Sequence, residues 1–354
     1  MTKTAPVIAT VEGRIGRLTL NRPKALNALD LPMIRIMTKT LLDWRKDASI
    51  AGVVVDAAGE KAFCAGGDIL ALTGERKDED ATPAEFYAEE YRLNTLIKEY
   101  PKPYVAMIDG IVMGGGVGIS VHGVRRICGD KTLFAMPETG IGFYPDVGGT
   151  YFLPRLEGQT GIWLALTGAR LKAADAFALG IATDYAPSDQ HGQLLARLIE
   201  DAAASEDIGP IIDSLTGLPG AGGVQAHKAQ IDTAFAADTV EGILARLEED
   251  DSDWALKQIK ILKSKSPTAL KVTLRQMCEG QNLNFRAAMR MELGLSVKFV
   301  AGHDFTEGVR ALLVDRDNAP NWQPDSLSAV SDDMVAGYFV PLTIDERLNF
   351  QDEE

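Results

Sequence analysis

Three consecutive glycines, Gly114, Gly115 and Gly116, end an apolar run that begins at Tyr104. Residues without side chains add nothing to a packed stripe, so helix and strand interiors tolerate them poorly. They suit a turn where another group approaches the backbone closely. The chain makes the same move earlier, where Phe63-Cys64-Ala65 runs into Gly66-Gly67-Asp68. Each turn follows a short β-rich run and precedes a segment with helical spacing. Strand, glycine turn and helix in repetition point to an α/β layer that binds ligands at its strand ends.

Amides at such turns point outward and favour negative charge, so one N–H from each turn can make a two-donor oxyanion hole. The bland alternative is a pair of tight turns. The chain contains no G-x-G-x-x-G, no G-x-x-x-x-G-K-[ST] and no G-x-S-x-G. Dinucleotide, phosphate-loop and serine-hydrolase readings therefore lack their motifs. Downstream, Glu138 and Asp146 lie in a segment crowded with Gly140, Gly142, Gly148 and Gly149. Carboxylates among apolar residues and glycines are costly unless paired or functional, and burial would raise their pKa toward acid, base or nucleophile roles. Helix capping or a salt bridge is the alternative.

Around this centre, Val7–Val11 and Ile15–Leu20 read as a hairpin, and Asp30 reads as the N-cap of a helix carrying Ile34, Met37, Leu41 and Trp44. Ala51–Asp56 is a buried strand, Thr73–Pro83 a polar surface loop and Ala84–Glu99 a helix. Ala173–Leu179 reads as a helix and Ile181–Tyr185 as a short strand. Beyond about Pro187 strand signals cease. Gln193–Ala204, Val240–Glu249, Trp254–Leu262, Pro267–Glu279, Phe285–Val300 and Thr306–Asp315 read helical, with Gly209–Gly223 as a linker. The expected organisation is a core over 1–190 and a mostly helical region over 191–354.

Basic residues number 36 against 50 acidic, a net charge of -14, which disfavours nucleic-acid binding. No apolar run is long enough to span a membrane. Cys64, Cys128 and Cys278 are scattered, as are the four histidines, so no metal site is expected. His122 reads as a core histidine. The N-terminal residues lack a signal-peptide apolar region and an Arg-rich transit-peptide look, so the expected compartment is the cytoplasm.

Several spaced segments together resemble the crotonase (enoyl-CoA hydratase/isomerase) superfamily. They are LNRPKALNAL at Leu20–Leu29, FCAGGDI at Phe63–Ile69, the triple glycine, MPETGIGFYPDVGGTYFLPRL at Met136–Leu156 and LTGARL at Leu166–Leu171. MGGGVGISVHG at Met113–Gly123, Asp146 after Pro145, SPTALKVTLRQM at Ser266–Met277 and HDFTEGVRALLVDRDNAPNW at His303–Trp322 are similar to its 3-hydroxyisobutyryl-CoA hydrolase subfamily.

The resemblance implies an α/β fold, a crotonase-type spiral of β-β-α turns with a helical C-terminal region. It implies an acyl-CoA substrate, with coenzyme A part of the substrate and no separate cofactor, a homo-oligomer, and a place in valine catabolism. The thioester oxygen would sit between the amides of Gly67 and Gly115. Glu138 would act as nucleophile or base, and Asp146 would orient the substrate hydroxyl or water. Glu90, Gly66, Asp68, Gly114, Met113 and Phe143 would line the acyl group. Arg22, Lys24, Ala25, Leu26, Ala65 and Ile69 would meet CoA, and Lys61 also flanks the turns. Hydratases of the superfamily use a second glutamate at the position of Gly118, which this sequence lacks. Hydrolysis is therefore the leading expectation. An enoyl-CoA hydratase or isomerase using Glu138 alone, and a non-catalytic acyl-CoA binder, are the alternatives.

Overall fold

The computed structural model describes residues 5–70, 82–202, 207–343 and 348–350. Most of the loop expected at Thr73–Pro83 lies outside these residues; Pro83 opens a helix. The chain forms two compact units, both discontinuous in sequence. One comprises Met1–Asp68, Leu93–Phe134 and Arg170–Gly223, the other Ile69–Arg92, Ala135–Ala169 and Val224–Glu354. A boundary at residue 190 therefore does not separate them. Sequence order conceals this, because Ile69–Arg92 and Ala135–Ala169 group with the C-terminal helices.

In the first unit, the hairpin β1 (Val7–Glu12) and β2 (Ile15–Leu20) is antiparallel and fully paired, from Val7 opposite Leu20 to Glu12 opposite Ile15. Helix α1 (Leu31–Lys46) starts where expected, with the Asp30 side chain accepting from the Met33 amide. Then follow β3 (Gly52–Ala57), β4 (Ala62–Cys64), α2 (Pro83–Lys98), β5 (Tyr104–Ile108), β6 (Ile111–Met113), α3 (Gly115–Gly118), β7 (Arg125–Cys128) and β8 (Leu133–Ala135). After α4 (Gly149–Phe152) and α5 (Thr160–Thr167), which belong to the second unit, come β9 (Leu171–Lys172), α6 (Ala173–Ala178) and β10 (Asp184–Tyr185) of the first.

The strands build two sheets, ordered β1-β2-β3-β5-β7-β10 and β4-β6-β8-β9. Successive pairs β3/β4, β5/β6 and β7/β8 each give their first strand to the large sheet and their second to the small one. That alternation is the expected spiral. The apolar run from Tyr104 is thus two strands, split by a turn at Asp109-Gly110. Gly110 has φ +85°, and an added Cβ would lie 2.8 Å from the Lys61 carbonyl oxygen. One face of the large sheet contributes Ile15, Val54, Val105 and Ile127 to a core closed by Leu194 and Leu198 of α7 (His191–Asp201) and Ile212 of α8 (Gly209–Leu215). Part of the expected linker is therefore a helix with a core residue.

The second unit is dominated by helices: α9 (Lys228–Ala234), α10 (Val240–Asp250), α11 (Asp253–Lys263), α12 (Pro267–Gly280), α13 (Phe285–Ala301), α14 (His303–Val309) and α15 (Asp332–Tyr338). A π-helical turn, Arg310–Val314, follows α14. Ser252, Ser266 and Asn284 cap α11, α12 and α13 through their side chains. Among the described residues no helix is long and apolar enough to cross a membrane, and no group of His, Cys, Asp and Glu has metal-binding geometry.

Candidate active site

In the first unit, β4 and β6 run parallel, with Cys64 opposite Val112, so the glycine turns at their C-terminal ends emerge side by side. A Cβ on Gly116 would lie 2.3 Å from the Cys64 carbonyl oxygen, and one on Gly66 would be 3.7 Å from that of Met113. Gly66 has φ +117°, and Gly114 precedes α3 with φ 46° and ψ −122°, a region closed to other residues. Among the described residues, the amides of Gly67 and Gly115 donate to no backbone acceptor, whereas the neighbouring Ala65 and Asp68 amides donate to Leu26 and Leu29. This unit therefore carries, at adjacent turns, two glycine amides without a backbone acceptor among the described residues.

The segment expected to meet CoA is held by a polar clasp. Leu26 and Asn27 are both left-handed, at φ 51° and 55°. The Asn27 side chain accepts from the Arg22 amide at 2.8 Å and donates to the Ala58 and Ala62 carbonyls, each at 3.0 Å. The Arg22 guanidinium donates to Asp68 Oδ2 at 2.9 Å and to the Ala28 carbonyl, and also pairs with Asp30. Arg22 and Asp68 are thus engaged with each other, an arrangement that positions the glycine turn rather than offering free ligand groups. Lys24, Ala25 and Lys61 are exposed, while Ala65, Leu26 and Met113 are half-buried. Ile69, also half-buried, groups with the second unit.

That second unit collects the carboxyl groups. Glu90, Glu138, Asp146 and Glu292 are exposed by only 2%, 6%, 5% and 0%. Glu138 opens the 3-10 turn Glu138–Ile141, and among the described residues its Oε2 has no hydrogen-bond partner; neither does Oε1 of Glu90. Asp146 is held by the Tyr91 hydroxyl, which donates to Oδ2 at 2.8 Å. Tyr91 and Tyr144 both hydrogen-bond Ser296 Oγ, at 2.6 and 2.7 Å, and Tyr144 donates to the Glu292 carbonyl. The Glu292 carboxyl accepts from the Gly148 and Thr150 amides at 2.8 and 2.9 Å, while Gln276 donates to the Pro145 carbonyl at 2.7 Å. The loop carrying Asp146 is therefore tied to both α12 and α13. Phe143 lies under these groups, among Tyr87, Tyr144, Phe299 and Phe305.

Burial is the main cause of the electrostatics here. It pushes Glu138 well above the usual carboxyl range, reinforced by Asp146 and opposed by Lys265. Glu90 moves the same way through burial, then Asp146, Glu292 and Glu138. Burial takes Asp146 up to about 7 against the pull of Tyr91, and burial with Asp146 takes Glu292 up to about 8 against its two amide bonds. The folded state therefore binds more protons than the unfolded chain across this range, and each carboxyl's stabilising contribution is lost as pH rises. The expected melting temperature falls between about pH 5 and pH 8, and Glu292→Gln flattens that slope. A melting temperature that climbs with pH in calorimetry across this window would contradict it. Below about pH 4 ion-paired carboxylates such as Glu307, held down at about 2 by Arg310, set the opposite trend.

Sequence reasoning named Glu90, Glu138, Asp146 and Phe143 here and missed Tyr87, Tyr91, Glu292 and Ser296. A signal existed for Glu292: it sits in register with Phe285, Ala288, Met289, Leu295 and Phe299, the buried stripe of α13. His122 is buried after α3.

A family model described as enoyl-CoA hydratase/isomerase matches residues 15–339. Curated relatives include the protein named 3-hydroxyisobutyryl-CoA hydrolase, mitochondrial, from Danio rerio, 47% identical over 341 residues, covering 95% of this chain and 89% of the relative. The protein of the same name from Rattus norvegicus is 45% identical over 347 residues, covering 96% and 90%. Those names place the relatives in mitochondria and lend no support to a cytoplasmic location. Among solved structures, a carnitinyl-CoA dehydratase from Mycobacterium thermoresistibile is 40% identical with a TM-score of 0.92, covering 98% of this chain and 99% of that one. An enoyl-CoA hydratase from Rhodobacter sphaeroides is 37% identical with a TM-score of 0.89, covering 98% and 100%. On the extent of these matches and the spiral of paired strands, the chain belongs to the enoyl-CoA hydratase/isomerase family.

Proposed function

We propose that this chain hydrolyses a short branched 3-hydroxyacyl-CoA thioester, 3-hydroxyisobutyryl-CoA in the first instance, to the free acid and CoA. The observation that carries the reading is Glu138, a buried carboxyl with an oxygen unpartnered among the described residues; the resemblance to the superfamily adds that Gly118 stands where its hydratases carry a second glutamate. In this reading the amides of Gly67 and Gly115 hold the thioester oxygen as it becomes an oxyanion. Glu138 attacks the carbonyl carbon or takes a proton from the water that does. Collapse of the tetrahedral intermediate expels CoA thiolate, a good leaving group, so no strong general acid is required. If Glu138 attacks, the resulting anhydride is opened by water, which restores the carboxylate. Asp146, fixed by Tyr91, orients the hydroxyl or the water.

Lys24 meets the CoA phosphates, offsetting locally the acidic field of the chain. The reading needs no cofactor beyond the CoA of the substrate. It takes a homo-oligomer as the working state and a reducing compartment, the cytoplasm, as the setting, which the free thiols of Cys64, Cys128 and Cys278 suit.

The dehydratase and hydratase names of the similar solved structures favour a second reading, water addition to an enoyl-CoA with Glu138 as base. Turnover in ¹⁸O-water separates the two. Hydrolysis puts the label in the carboxyl group of a released 3-hydroxy acid. Hydration puts it in a new 3-hydroxyl on an acyl group still attached to CoA, and that outcome would displace the hydrolase reading.

A further inference from the structure

Among the buried hydroxyls of the carboxyl-rich unit that have no partner among the described residues, that of Tyr87 stands beside the candidate carboxyls. Tyr87 is 2% exposed, and its hydroxyl makes no hydrogen bond among the described residues. Tyr91, one turn further along α2, has an orientation similarly fixed by packing but bonds both Asp146 and Ser296. The Tyr87 ring cannot swing to find a partner. It stacks on Phe143 at 5.5 Å and 20°, meets Phe86 edge-on at 5.5 Å, and packs on Tyr91 at 5.8 Å. The charges of Asp146, Glu90 and Glu138 all act on its hydroxyl, yet none of these groups bonds it. Glu90, three residues along the same helix, also leaves Oε1 unpartnered. Native proteins seldom leave such groups unpaired, an ordered water or a ligand completing them.

A small group that both accepts and donates would complete both atoms, because a tyrosine hydroxyl can donate to it while a carboxyl takes its other hydrogen bond. An alcohol has that character and a methyl group does not. We infer that Tyr87 is a specificity-determining residue, donating to the 3-hydroxyl oxygen of the acyl group while the Glu90 carboxyl completes that hydroxyl's hydrogen bonding. The inference rests on the hydrolase reading above, leaves Asp146 to orient the water, and adds the residue that selects hydroxylated over plain acyl chains. Sites built to pair with a substrate hydroxyl reject the analogue lacking it far more strongly than an apolar pocket can.

The test compares CoA release from 3-hydroxyisobutyryl-CoA and isobutyryl-CoA by wild type and Tyr87→Phe. The variant keeps the ring stack, and its melting temperature is expected to equal or exceed that of the wild type, because a buried unpaired hydroxyl is gone. The ratio of kcat/KM for the hydroxylated over the plain substrate is expected to fall about tenfold to a hundredfold. An unchanged ratio, or equal loss on both substrates with a lowered melting temperature, overturns the inference while leaving the hydrolase reading in place. Wild-type enzyme that releases CoA from neither substrate overturns both.

Discussion

Glu138→Gln is expected to lower the rate of CoA release by about a thousandfold or more, with little change in KM and a melting temperature no lower than wild type. Glutamine keeps the shape of the side chain and removes its capacity to attack or to accept a proton, and losses of that kind typically cost about 10²–10⁴-fold or more in rate. The direction of the stability change follows from the site. Glu138 is 6% exposed, feels the charge of Asp146, and leaves Oε2 without a partner among the described residues, so the fold gains nothing from its charge. A neutral amide avoids the desolvation that pushes its pKa up. Activity of the wild type should accordingly rise with pH as Glu138 ionises, while stability falls, an opposition expected when the same buried carboxyls serve the reaction and burden the fold. Steady-state assay with a thiol reagent and a thermal melt decide this together. A variant that retains turnover would remove Glu138 from the chemistry.

Gly116→Ala is the second large effect. The new methyl carbon would stand 2.3 Å from the Cys64 carbonyl oxygen and 2.8 Å from Cys64 Cβ. A strand carbonyl cannot rotate aside as a flexible side chain can, so β4 and α3 must move apart. Such overpacking costs about 1–3 kcal/mol. The same movement shifts the Gly115 amide relative to Gly67, and loss of one oxyanion donor typically costs about 10²–10³-fold in kcat. The expected result is a lowered melting temperature together with a fall in kcat of about a hundredfold. Gly217→Ala, where an added Cβ meets nothing within 4 Å, is the matched control and should be near neutral. Normal activity in Gly116→Ala would show that the closeness of the two turns does not matter to the reaction.

What the sequence made legible, and what it hid, follows from the range over which each feature is determined. The β1–β2 hairpin, the Asp30 cap of α1 and the glycine turns are local, and each was readable from neighbouring residues. Strands β6, β8 and β9 were not separately readable, since two or three residues cannot establish a period. The helix Gly209–Leu215 was masked by the glycine and proline at its start, although Pro210 is well placed in a first helical turn. The interleaving of the two units depends on contacts far apart in sequence. So does the support of Asp146, where Tyr91 meets Ser296 across 205 residues. Arg22 illustrates the converse. Its charge beside the candidate CoA segment is legible from neighbouring residues, but its pairing with Asp68, 46 residues on, is not. Glu138 and Asp146 stood out because carboxyls are unusual among glycines and apolar residues. Glu292 passed as ordinary because helices carry many glutamates, and only its register in the buried stripe set it apart.

The central claim is that Glu138 and the two glycine amides serve thioester cleavage rather than water addition. Free thiol released from 3-hydroxyisobutyryl-CoA, followed continuously with a thiol reagent alongside enoyl absorbance from crotonyl-CoA at equal enzyme concentration, tests it most directly. The account predicts one thiol per acyl group consumed from the first substrate, and negligible loss of enoyl absorbance from the second. Rapid loss of crotonyl absorbance with no thiol from either substrate would contradict it.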